Sequence, residues 1–124
     1  MLKRLTKSEC EITVTVEFCD IPIRGNVMAS GDDAYDKKCE DDLIRQVDDG
    51  NVWAWATITV KASWSGYNGF DHLGGCSYKD EEDFIKSNDY YDGMVAAAVD
   101  DLNSKLAKTY EEIKPLDEGY GGKL

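Results

Sequence analysis

The chain has 124 residues and a net charge of -11, from 25 acids against 14 Lys and Arg; such a balance repels nucleic acid and acidic membranes and attracts basic protein surfaces. The length fits a single domain, 1–124, and an apolar content of 42% with three Trp, seven Tyr and three Phe excludes a chain too polar to fold. No apolar run reaches the roughly 18 residues of a membrane span, and Met1–Lys7 is followed by Ser8, Glu9 and Cys10 rather than an apolar leader, so a soluble protein of the cytoplasm, not exported, is expected.

From Cys10 to Cys19 the even positions Ile12, Val14, Val16 and Phe18 are apolar and the odd ones polar. This period of two predicts a half-buried strand. Pro22 and Gly25-Asn26 end it, because proline cannot donate to a ladder and Gly-Asn favours a turn. Over 32–49, Tyr35, Cys39, Leu43 and Val47 recur every fourth residue, joined by Ile44, which predicts an amphipathic helix. Ser30 or Asp32 can cap it, and Gly50 can stop it with positive φ.

The run 52–64 reads as the strongest strand, with Ala54, Ala56, Ile58, Val60 and Ala62 on one face and Trp53, Trp55, Thr57, Thr59 and Lys61 on the other. Ser65-Gly66-Tyr67-Asn68-Gly69 has hairpin chemistry, and 70–76 returns as a shorter strand in which Gly74-Gly75 marks a bulge or a close backbone approach. Ser77, followed by Asp80 and Glu81, predicts a capped short helix through about Lys86. From Tyr90 to Lys114 the residues Val95, Ala98, Val99, Leu102, Leu106, Tyr110 and Ile113 form a helical stripe, ended by Pro115. The order β-α-β-β-α-α predicts an α+β fold, a sheet of about three strands with helices packed on one side, and flexible ends at 1–8 and 115–124.

Catalytic signals are weak. Asp71, His72 and Cys76 fit neither a CxxC pair nor an HExxH helix, so no metal or other cofactor and no catalytic residue is assigned. A small metal- or cysteine-dependent enzyme centred on His72 and Cys76 stands as an alternative, His72 being the one histidine of the chain. Asn88-x-Tyr90-x-Asp92-Gly93 echoes a calcium loop but has Val99 where the bidentate glutamate belongs. The scattered Cys10, Cys19, Cys39 and Cys76 are expected to be reduced thiols.

The acidic blocks carry more. Asp32, Asp36 and Glu40 lie four apart, about 6 Å along a helix axis, close to the roughly 7 Å spacing of phosphates along a DNA strand. With Asp33, Asp41, Asp80, Glu81 and Glu82 they form a candidate partner-binding surface that imitates a nucleic-acid backbone; a merely solubilising face has the same composition. Trp53 and Trp55, if exposed, would be apolar anchors beside the acids or the interface of a homodimer, the chain then serving as an assembly module.

The stretches Gly25-Asn26-x-x-Ala29-Ser30-Gly31-Asp32, Gly50-Asn51-Val52-Trp53-Ala54-Trp55, Leu73-Gly74-Gly75-Cys76-Ser77-Tyr78-x-Asp80-Glu81-x-x-Phe84 and Tyr90-Tyr91-Asp92 resemble small acidic proteins encoded by bacteriophages and prophages, over residues 8–103. That resemblance implies an anti-defence role. It points to an anti-CRISPR or antirestriction inhibitor in the host cytoplasm, whose partner is a Cas effector or nuclease with a basic nucleic-acid-binding surface, with no direct binding of nucleic acid or membrane.

Overall fold

A computed structural model of the protein describes residues 4–27 and 30–120, the last nine by backbone alone. The elements are β1 (Glu11–Phe18), α1 (Asp33–Asp48), β2 (Ala56–Trp64), β3 (Tyr67–Cys76), α2 (Glu81–Ser87) and α3 (Tyr91–Tyr120), with 3-10 turns at Lys7–Glu9 and Val52–Ala54. The three strands form an antiparallel open sheet in the order β1-β2-β3, and the fold is α+β with the expected order of elements. The chain divides into two compact units, one of Met1–Thr13, Val60–Asp71 and Gly93–Leu124, the other of Val14–Thr59 and His72–Asp92.

In the first unit, Val60 and Ala62 of β2 are closed to solvent, as are Val95, Ala98 and Leu102 of α3. Gly69 of β3 lies against the backbone of α3: a Cβ there would stand 2.1 Å from the Ala98 carbonyl oxygen and 2.3 Å from the Leu102 nitrogen. Only a residue with no side chain lets strand and helix approach so closely. The α3 stripe is buried from Met94 through Leu106, whereas Tyr110 is exposed; the side chain of Ile113 lies outside the described residues. The helix continues past Pro115 to Tyr120, so proline removes one i→i−4 bond without ending it. Near the amino terminus, buried Leu5 donates its N–H to Asn103 Oδ1 at 2.8 Å and accepts from Asn103 Nδ2 at 3.0 Å. Residues 1–3 and 121–124, expected as flexible, lie outside the described residues.

In the second unit the strand predicted from Val52 starts at Ala56 instead, because Asn51 caps a 3-10 turn by accepting from Trp53 N. Trp53 and Trp55 therefore do not share a strand face. Trp55 is 5% exposed, its Nε1 donates to the Ile21 carbonyl at 2.7 Å, and its ring covers Gly75, which has φ +65°. Trp53 faces Phe84, whose ring also meets Tyr78 and Tyr91 edge-on. The two-residue turn Ser65-Gly66 has positive φ at both positions, as a primed hairpin turn requires. The cap of α2 is Asp80 rather than Ser77, accepting from Asp83 N at 2.8 Å.

Candidate functional site

Helix α1 carries six acids and three bases over Asp33–Asp48 and begins as a capped amphipathic helix should. Asp32 accepts from Tyr35 N at 3.2 Å, the usual way a carboxylate satisfies a free N–H of the first turn. Asp36 accepts from Ser30 Oγ at 2.7 Å and from Ser30 N. Glu40 accepts from Gly25 N at 2.7 Å and pairs with Arg24 at 3.2 Å. Arg24 also pairs with Asp41, and these two acids hold its guanidinium charged, Asp41 foremost. The loop ahead of α1 is thus held to the helix by its acids.

These bonds revise the predicted ladder. Glu40 is 8% exposed, the one buried residue of α1, and so cannot present a phosphate-like charge at the surface. Burying a carboxylate is tolerated only because the amide and guanidinium satisfy it. The apolar stripe departs from expectation too: Cys39, Leu43, Ile44 and Val47 are only half-buried and Tyr35 is 50% exposed. The periodicity was helical, yet the position most covered by protein is an acid.

Asp32, Asp33 and Asp41 are exposed and Asp36 is half-buried. In the same unit Asp80, Glu81 and Glu82 surround the first turn of α2, all exposed. Glu82 pairs with Lys86, and Asp83 accepts from Lys79 N at 2.9 Å. Asp33 and Glu81 make no ion pair among the described residues. The donors to Asp32, Asp36 and Asp80 are amides or a hydroxyl, so these carboxylates are fixed in place without being neutralised. Trp55 is buried against Ile21 and Gly75 and so is no exposed anchor, whereas Trp53 is half-buried, with one side of its ring against Phe84.

The cysteine and histidine chemistry separates. His72 Nδ1 lies 2.8 Å from Thr59 Oγ1 on an exposed stretch of β3, while Cys76 is buried and donates to the carbonyls of Leu73 and Gly74. Burial, reinforced by Cys19, pushes the Cys76 thiol up to about 11, which keeps it protonated and poorly nucleophilic. A groove of about 230 Å³ runs along 73–78 with Asp89 and Tyr90, and Cys76 is its one thiol. Cys19 has the opposite balance. Burial raises its thiol, but hydrogen bonds from the Ile21 backbone, the Thr57 hydroxyl and the Gly75 amide outweigh that and leave it below the ordinary value. No sequence signal marked Cys19, because its donors come from three separate segments. Among the described residues no three His, Cys, Asp or Glu side chains converge to hold a metal ion, and no helix is long and apolar enough to cross a membrane.

No protein-family model, curated protein or solved structure matches the chain.

Proposed function

We propose that the protein is a non-enzymatic inhibitor that presents fixed carboxylates to the basic nucleic-acid-binding surface of a host complex, in the manner of an anti-CRISPR protein. The observation that carries this reading is that Asp32, Asp36 and Asp80 are positioned by neutral donors and so keep their charge while losing their freedom. Pre-ordered anions bind a Lys/Arg surface with less entropy left to lose than mobile ones do. Asp33 and Glu81, unpaired among the described residues, add charge around them, Asp41 and Glu82 lie beside them paired with Arg24 and Lys86, and Glu40 serves as the internal anchor of the surface. The resemblance to phage-encoded proteins directs the choice of target to a Cas effector or nuclease in the host cytoplasm.

The test is capture of tagged protein from bacterial lysate containing active CRISPR and restriction systems, with and without competing DNA. Recovery of one nuclease complex, lost when DNA competes and lost in the Asp33→Lys/Asp36→Lys variant, is the expected result. Full-strength recovery by that variant would mean that the α1 surface does not bind the target.

A further inference from the structure

The two edges of the sheet are treated differently. At β3 the outward backbone is occupied: Phe70 N–H donates to Asp101 Oδ2 at 2.9 Å, and Lys105 Nζ donates to the Asn68 carbonyl at 3.1 Å. Asp101 and Lys105 pair with each other at 2.9 Å, and Lys105 lies 5.0 Å from the centre of the Phe70 ring. Side chains that cover an edge in this way stop another strand from adding to it.

Among the described residues β1 has no such guard. It borders β2 alone, and among the described residues no side chain hydrogen-bonds to its backbone. Cys19 N donates to the Trp55 carbonyl, so Cys19, Glu17 and Thr15 direct their backbone groups toward β2. By alternation, those of Val14, Val16 and Phe18 point to the open edge. The same three side chains are apolar and incompletely covered, Val14 and Val16 half-buried and Phe18 51% exposed. The segment contains no proline, lysine or positive-φ residue that would blunt it.

We propose that Val14–Phe18 of β1 pairs antiparallel with the same segment of a second copy, across a two-fold axis at Val16. The sequence is self-complementary in that register. Val16 faces Val16, Val14 faces Phe18, and Thr15 faces Glu17. The half-covered apolar groups then cover one another as cross-strand pairs, and no acid opposes an acid. Sliding one pair toward the carboxyl end sets Glu17 against Glu17, which selects against that register, and sliding one pair the other way loses the Val16–Val16 contact. The interface is isologous and closes at two copies, since each β1 has one open edge.

Solution mass over a concentration series tests the pairing on the full-length chain. The wild type is expected to reach twice the monomer mass. Phe18→Lys is expected to stay a monomer with an unchanged circular dichroism spectrum, while Tyr110→Lys, which alters an exposed aromatic of α3, still dimerises. A wild type that remains a monomer throughout, or a Phe18→Lys variant that dimerises as the wild type does, overturns the proposal. Independently of folding in the lysine variants, paired Val16 residues place their Cα atoms about 5.5 Å apart, within the range a disulfide spans. Oxidised Val16→Cys should therefore yield a 16–16 cross-link by mass spectrometry, and its absence overturns the register.

Discussion

Two side chains, one of them missing, set the tightest constraints at the residue scale. Gly69 works by absence, since the α3 backbone occupies the space that a methyl group would need. Backbone atoms cannot turn aside as a flexible side chain can. Gly69→Ala is therefore expected to destabilise the fold by about 3 kcal/mol or more and to lower Tm by on the order of 10 °C, read by thermal unfolding. Cys76 works by burial. Its thiol ionises near 9.0 in an unfolded chain and at about 11 in the folded protein, so the folded form retains a proton that the unfolded form has lost across that window. Stability must fall as pH rises from 9 to 11, by up to about 2 kcal/mol from this group. Cys76→Ser cannot ionise there, and denaturant titrations at both ends of the window should show a smaller loss for it than for the wild type.

At the scale of elements, acids fix the helix starts. Asp32 and Asp80 cap α1 and α2, and Asn88, in the left-handed region at φ 50°, closes α2 and accepts from Asp92 N at 2.9 Å. Glu40 ties α1 to the loop before it through one amide and one guanidinium. Glu40→Gln keeps the size but weakens both bonds, and Arg24 retains only Asp41. The expected cost is about 1–2 kcal/mol, with faster hydrogen exchange at the Gly25 amide. If the loop is held by Glu40, exchange should change there more than at the amides of β2. The edges of the sheet belong to the same scale: a carboxylate and an ammonium cover one, and the other is left to pair.

For the whole molecule the net charge of -11 makes salt a diagnostic. Capture of a basic partner through carboxylates weakens with added salt, because screening reaches about 8 Å at physiological ionic strength. Pairing of two acidic copies through backbone and apolar contacts strengthens with it, since only the mutual repulsion is screened. A salt titration of each event should therefore move in opposite directions. Capture that is indifferent to salt would remove the carboxylates from the proposed mechanism, whatever happens to the dimer.

How much of this was legible in the chain follows from the range of the forces involved. Alternation in 11–18 and 56–64, the four-residue spacing in α1 and α3, the turn at Ser65-Gly66 and the order β-α-β-β-α-α are local properties, set by side-chain period and backbone stereochemistry, and they could be read directly. The acidic surface was visible as composition. What each acid does was not, because Ser30, Gly25 and Arg24 reach Asp36 and Glu40 only after the loop folds back on α1. The same holds for Gly69, for Asn103 on Leu5, for the ring of Trp55 over Gly75 and for the thiols of Cys19 and Cys76. Sequence period determines which elements form; burial and hydrogen-bond partners depend on segments far apart in the chain, and only their packing decided which acids are anchors and which remain as charge.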